Sequence, residues 1–248
     1  MERKHLVLQL RKCEACKLQY RFPKDDAAEN YHFYQDAYRE SAVTDLPAAS
    51  EVPHHVATSF RKIGLDLTDR LKTITAIAPI GRLIDYGSSW GYGVYQFRKA
   101  GYDAYGFEIS RTRVEFGRKA LQVELSDSIA SFPDTSFDVV YSAHCLEHIP
   151  NPDSALRQFA RLLRPGGHLF IYAPNCGGAE ARKLGVRWGQ MIGEKHVSAF
   201  TAEFFHRNLP KYGFQEVQFV SSPYSSRPQK YEAASLEGEE LLVTGVRG

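Results

Sequence analysis

The sequence predicts an open α/β fold, a mostly parallel sheet with helices on both faces. Three observations carry this. Strand-like and helix-like segments alternate from residue 82 to residue 174. The stretch "FDVVYSA" (137–143) has an unbroken apolar middle, the pattern of a strand buried on both faces. The strand "RLIDY" (82–86) runs straight into Gly87, Gly91 and Gly93. Such a turn lets bare backbone approach a ligand.

In chain order, residues 5–22 read as two short extended segments around Cys13-Glu-Ala-Cys16. Residues 23–53 are polar, acidic and aromatic, with Tyr31, Phe33, Tyr34 and Tyr38 at near-helical spacing. Val56, Phe60, Ile63, Leu67, Leu71, Ile74 and Ile77 predict one long helix or two short ones over 54–78, closed by Pro79 and Gly81. "RLIDY" is a strand, and Gly91 to Ala100 is a helix. "YDAYGFEI" is a strand, and Ser110 caps a helix that runs to Lys119. "LQVEL" and "FDVVYSA" are strands. Asn151-Pro152 supplies an N-cap and then proline at the first helical position. Leu156, Phe159, Ala160 and Leu163 form that helix's apolar stripe. Pro165-Gly166-Gly167 ends it, and "HLFIYAP" is the next strand. After a Gly-rich region to Lys195 come a helix (201–213) and strands over 215–221 and 240–246. The loop between those strands has no room for a helix, so they pair antiparallel at one edge.

The chain has 248 residues, 43% hydrophobic and 24% charged, as expected of one globular domain with at most a small appendage. A net charge of +2 with dispersed basic residues argues against a nucleic-acid or membrane partner. No apolar run approaches the roughly 20 residues of a membrane span, and the start reads as no signal peptide. Four cysteines make no disulfide framework, so a reducing, cytoplasmic compartment is expected.

In such a sheet ligands bind beyond the carboxyl ends of the strands. Glu108 ends the second strand of the alternating region, 23 positions after Asp85. An acid there accepts hydrogen bonds from both hydroxyls of a ribose. Taken singly, Asp85 serves equally to cap the turn, and Glu108 to end a solvated strand. A dinucleotide-binding turn wants G-x-G-x-x-G. Here the glycines are spaced Gly87-x-x-x-Gly91-x-Gly93. That fits a pyrophosphate poorly and leaves an NAD(P)-dependent oxidoreductase as the enzymatic alternative.

The stretch Asp85-Tyr-Gly87-Ser-Ser89-Trp-Gly91 resembles the strand-one motif D-x-G-x-G-x-G of class I S-adenosylmethionine-dependent methyltransferases, with Ser89 in place of the middle glycine. Residues 131–152 and 161–175 resemble that family's fourth and fifth strands, and 195–214 its late helix and the strand after it. The resemblance implies a Rossmann-like, seven-stranded sheet with an antiparallel edge strand, S-adenosylmethionine as cofactor and a small-molecule acceptor. It puts Asp85 at the cofactor's ammonium, and Gly87, Ser89 and Gly91 along its amino-acid half. Glu108 and Ile109 fall at the ribose, and Ser126, Asp127 or Ser128 at the adenine. Ser142, with Ala143 and His144, falls beneath the methyl. It divides the chain into a ribbon-like, aromatic cap segment (1–55) and a methyltransferase domain (56–248).

"AHCLEHIP" holds His144, Glu147 and His148, and His196 follows in "GEKHVSAF". One helical turn would bring His144 and Glu147 or His148 to one side. Three readings stay open. His144 or His196 is a general base for a substrate hydroxyl. Alternatively the four residues hold a divalent metal, similar to the Glu/Glu/His/His set of small-RNA 2′-O-methyltransferases and quinone-biosynthesis O-methyltransferases. With His144 in place of a glutamate, the ion would be softer than magnesium. In the third reading Glu147 and His148 only tie loops over the cofactor. The place of an Asn-Pro-Pro-Tyr motif reads Ser142-Ala143-His144-Cys145, which favours an oxygen acceptor, sugar-like or another small hydroxyl. Cys13-x-x-Cys16 resembles the second half of a zinc ribbon that precedes some of these enzymes. Zinc there would need a partner chain or His5, since four-cysteine sites take two such pairs. A cofactor-binding module without chemistry is the remaining alternative.

Overall fold

The computed structural model describes residues 2–4, 8–24, 27–32, 34–35, 45–193, 195–222, 224, 228–232 and 236–248. His5, Phe33 and Tyr38 lie outside the described residues. Near the N-terminus, β1 (Glu2–Lys4), β2 (Leu8–Lys12) and β3 (Gln19–Phe22) form a small antiparallel sheet. The Cys13–Cys16 turn joins β2 to β3. Cys13 N–H donates to Leu18 O and Lys17 N–H to Cys13 O, both at 2.8 Å. Helix α1 (Ala27–His32) follows.

The apolar repeat over 54–78 resolves into two helices, α2 (Val52–Ala57) and α3 (Thr68–Ile77). Asp66 explains the restart. Its carboxylate accepts from Thr68 N–H at 2.9 Å and from the Thr68 hydroxyl at 2.6 Å. The Gln96 side chain takes Leu67 N–H at 2.9 Å. Polar side chains thus satisfy backbone donors that a continuous helix would have used itself.

The main sheet takes β4 (Arg82–Tyr86), β5 (Asp103–Phe107), β6 (Glu124–Ser126), β7 (Phe137–Ala143) and β8 (Leu163–Pro174) as parallel strands. The short β9 (Ser198–Ala199) instead joins the small sheet beside β3. β10 (Phe214–Ser221) and β11 (Glu240–Arg247) complete the main sheet, in the order β10-β11-β8-β7-β4-β5-β6. β11 runs antiparallel to both β8 and β10, the pairing expected at this edge. Helices α4 (Tyr92–Lys99), α5 (Arg111–Leu121) and α6 (Pro152–Leu162) connect the parallel strands, and α7 (Ala179–Leu184) and α8 (Ala202–Asn208) follow β8. This is the Rossmann-like architecture. Neighbouring strand residues alternate between two cores. Ile84, Val140 and Leu169 pack with Leu156 and Phe159 of α6. Leu83, Val139 and Phe170 pack with Val94 and Phe97 of α4.

Three boundaries differ from the sequence reading. α5 continues through Leu121, so the strand in "LQVEL" begins only at Glu124. β8 starts at Leu163 and carries Pro165-Gly166-Gly167 as a bulge, where the pairing jumps from Phe137↔Leu163 to Val139↔His168. α8 stops at Asn208 and tightens into a 3-10 turn over Leu209–Tyr212. Pro210 there has no N–H to continue an α-helix. Among the described residues, no helix is long and apolar enough to cross a membrane.

Candidate active site at the strand ends

The chain order reverses at β4, which has β5 on one side and β7 on the other. Such a reversal opens a crevice at the carboxyl ends of the strands. A cavity of about 920 Å³ lies there. Gly87, Ser89, Glu108 and Ile109 line one side, His144, Glu147, His148 and His196 another, and Tyr31 and Tyr34 belong to its wall.

The glycine turn forms the first side. Gly87 has φ +87°, and a Cβ there would sit 2.5 Å from Cys145 Sγ. Gly87 and Ser88 N–H both donate to Phe107 O, at 2.8 and 3.0 Å. Ser89 also has positive φ, +52°, a conformation that costs a non-glycine residue. Two contacts offset that cost. Ser89 N–H donates to Glu108 Oε2 at 3.0 Å, and its hydroxyl accepts from Arg113 at 2.7 Å. Arg113 is 3% exposed and lies 3.6 Å from Asp45. The other Glu108 oxygen accepts from Ser110 N–H at 2.9 Å. Burial raises the Glu108 pKa, against the pull of these N–H groups and of Arg113. Gln35 donates to Ile109 O at 2.6 Å, so the N-terminal segment reaches this rim.

Of the other cofactor candidates, Asp85, Gly91, Ser126, Asp127, Ser128 and Ser142 do not line the cavity. Asp85 is buried behind the turn, where a Cβ on Gly93 would lie 2.4 Å from its Oδ2. Burial, then the Glu108 charge, pushes its pKa up to about 8, and Arg70 opposes the rise. Gly91 packs on Val123, 2.8 Å from where its Cβ would be. Ser126 hydrogen-bonds the Ser131 hydroxyl at 2.7 Å, and Ser128 N–H donates to Ser126 Oγ at 3.1 Å. Asp127 pairs with Arg111 at 3.1 Å. Ser142 donates to Tyr86 O at 3.1 Å.

The second side starts where β7 ends. His144 takes φ +48° and so stands outside the 3-10 turn Leu146–His148 rather than on a shared helical face. Its ring, 43% exposed toward the cavity, lies between Glu147, 3.3 Å from Nδ1, and Glu240, which Nε2 contacts. Arg70 at 2.8 Å and the Tyr224 hydroxyl hold Glu240 in turn. Desolvation opposes a charge on His144, but the two carboxylates outweigh it and hold the imidazole at about 9. Desolvation likewise opposes the Glu240 charge, and His144 and Arg70 hold that carboxyl at about 2. His144 therefore already carries a proton at neutral pH.

His148 differs. Burial lowers its pKa, with Glu147 opposing. Its Nδ1 lies 3.0 Å from Lys195 O, and His196 Nδ1 lies 2.9 Å from Gln190 O. A carbonyl only accepts, so each Nδ1 carries a proton, which makes Nε2 the lone-pair nitrogen of the neutral ring. The two rings meet edge to face at 4.8 Å. The fold delivers His196 through backbone ties. Val197 N–H donates to Glu147 O at 2.8 Å, and Arg21 N–H to Val197 O at 2.9 Å. Donor atoms of Glu147, His148 and His196 all lie within 4.8 Å of one another, a set that does not include His144.

A methyltransferase domain family matches residues 53–218. The chain belongs to that family. This methyltransferase-family chain is 29% identical to a 27-O-demethylrifamycin SV methyltransferase of Amycolatopsis mediterranei, over 68% of itself and 66% of that protein. It is 33% identical to a ubiquinone biosynthesis O-methyltransferase of Ralstonia nicotianae, over 41% of itself and 48% of the relative. The match spans less than two thirds of either relative's length. A solved S-adenosylmethionine-dependent methyltransferase of Thermotoga maritima shares the fold, with a TM-score of 0.58 at 20% identity, over 81% of this chain and 98% of that one.

Arg70, Arg113 and Glu240 were absent from the sequence reading. Arg70 and Glu240 sit beside other charges, Asp69 and Lys72 in "LTDRLKTI" and Glu239 in "EELLV", so nothing in the sequence singles them out.

Proposed function

We propose that the protein transfers the methyl group of S-adenosylmethionine to a hydroxyl oxygen of a small molecule. One observation carries the reading. A single cavity brings a doubly anchored carboxylate, Glu108, beside a glycine turn and within reach of the Glu147–His148–His196 cluster. Each Glu108 oxygen keeps a second lone pair for a ribose hydroxyl. Asp85 lies behind the turn and outside the cavity wall, so in this reading it holds the cofactor's ammonium through water rather than by contact. The sulfonium makes the methyl electrophilic, so the protein has to align the acceptor oxygen about 3 Å away and accept its proton. We assign that proton to the Glu147–His148–His196 cluster, because His144 is already protonated between two carboxylates. O-methylation in the names of both curated relatives supports an oxygen acceptor. In this reading residues 56–248 are the catalytic domain and residues 1–55 close the acceptor side, where Tyr31 and Tyr34 line the cavity. Four free cysteines fit a reducing, cytoplasmic location.

Calorimetry with S-adenosylhomocysteine and with NADH tests the reading. S-adenosylhomocysteine is expected to bind and NADH not to. Labelled methyl transfer to a panel of small alcohols and phenols is expected to depend on His148. Binding of NADH alone would point to an oxidoreductase, and S-adenosylhomocysteine binding with no transfer to any acceptor would point to an inert module.

A further inference from the structure

Cys13 and Cys16 stand outside the site described above, in the turn that joins β2 to β3. Both are free and partly exposed. The hydrogen bond from Lys17 N–H to Cys13 O, at 2.8 Å, closes the turn around them. Residues three apart in such a turn fall within the roughly 4.4–6.8 Å between Cα atoms that a disulfide spans. The two thiols already hydrogen-bond each other, so an S–S bond can close with the hairpin folded. The two sulfurs are unlike. Cys13 Sγ accepts from the Cys16 N–H, the Cys16 thiol and the Ala15 N–H, which hold its pKa below the usual thiol value. Cys16 packs against the main core, and burial raises its pKa. A partly exposed, anion-stabilised sulfur beside a second thiol is the pattern of a nucleophile with its resolving partner. Cys145 and Cys176 lack that pattern, since burial keeps both as neutral thiols, Cys176 at about 12.

We propose that Cys13 and Cys16 form a reversible dithiol–disulfide site that exchanges with low-molecular-weight disulfides, and whose state reaches the strand junction that holds His196. The Cys13 thiolate attacks one sulfur of the small disulfide. Its S–S bond breaks, one thiolate leaves, and a mixed disulfide remains on Cys13. Cys16 then loses its proton and attacks Cys13 Sγ, which expels the second thiolate. Two electrons and two protons pass from the pair to the two released thiols. In a reducing compartment the dithiol is the resting state. The path toward His196 is short. β3 pairs with β9 through Gln19↔Ala199 and Tyr20↔Ser198, and Arg21 N–H donates to Val197 O at 2.9 Å. Asn208 Nδ2 donates to Cys16 O at 2.8 Å, which ties the turn to α8. Oxidation draws the sulfurs from hydrogen-bonding contact to about 2.05 Å. It thereby cross-links the hairpin, so β3 opens from β9 less often.

The test uses the full chain, fully reduced, in metal-free buffer with a chelator, and oxidised glutathione as the probe. By mass spectrometry the wild type is expected to lose the mass of two hydrogen atoms and to retain no glutathione. Peptide mapping is expected to place the bond between Cys13 and Cys16, and reduced glutathione to reverse it. Cys16→Ser is expected to trap one glutathionyl group on Cys13. Cys13→Ser is expected to take up glutathione at least about tenfold more slowly than Cys16→Ser. On oxidation, amide exchange at Arg21 is expected to slow by up to about 20-fold, the loop-closure limit for so short a ring. Two results would overturn the site: a wild type that keeps glutathione with no internal bond, or a bond mapped to Cys145, Cys176 or a second chain. Unchanged exchange at Arg21 would break the link to His196. None of these readouts involves S-adenosylmethionine or an acceptor, so this site and the methyl-transfer reading fail separately.

Discussion

The two sides of the cavity are built on different scales of the chain. On the cofactor side, Gly87, Ser89, Glu108, Ser110 and Arg113 contact one another, all within two strands and the starts of two helices. Its carboxylate, Glu108, is answered by backbone N–H groups. On the acceptor side, residues 144–148 meet His196, Arg70 and Glu240, and side chains answer one another. Backbone donors follow from the path of the chain, whereas a cluster of side chains exists only once distant segments have docked. The first side should therefore behave as a local binding element, and the second as a separable chemical one.

The largest effect that separates them is on turnover. His148→Ala is expected to slow methyl transfer by about 10²- to 10⁴-fold, the range for removing a proton-transfer group, while S-adenosylhomocysteine still binds in calorimetry. Equal loss of binding would merge the two sides. Next, Glu108→Ala removes the ribose acceptor and strands the N–H groups of Ser89 and Ser110. Two hydrogen bonds to a charged group are lost, so S-adenosylhomocysteine affinity should fall by about 100-fold or more. A variant that binds as wild type would remove Glu108 from the cofactor side.

Gly87→Ala sharpens the structural half of the comparison. Its Cβ meets Cys145 Sγ at 2.5 Å, at φ +87°. A loss of about 1–3 kcal/mol in stability is expected by urea denaturation, and Cys145→Ala in the same chain should recover part of it. No loss would mean that the turn can relax. The smallest effect concerns pH. Free Asp85 is held at about 8 by burial and then Glu108, so it is protonated at pH 7. The cofactor's ammonium favours the carboxylate, so binding releases that proton. Affinity should therefore rise with pH up to about 8, by at most about tenfold per unit. Asp85→Asn should flatten the slope, and a flat wild-type profile would remove Asp85 from the ammonium.

The parts legible in the sequence are those with short-range causes. Alternating apolar runs between turn residues located β4, β5, β7 and β8, because burial on both faces of a parallel strand leaves an unmistakable composition. The break between α2 and α3 was not legible. It depends on Asp66 and on Gln96, 29 residues beyond Leu67. The same holds for Ser89. Its serine looked like a small departure from a glycine pattern, yet its backbone is left-handed and its hydroxyl answers a buried arginine.

By itself the sequence determined the architecture, the glycine turn and the two acids at the strand ends, since periodicity and turn chemistry act over a few residues. Only the tertiary structure decided which histidine is already protonated, which ones stand with Glu147, and that Arg70 and Glu240 belong to the site. Charge states and donor clusters depend on distances between segments 48 to 170 residues apart, as in His148 with His196 and Arg70 with Glu240. Those distances exist only once β3, β9 and β11 have paired.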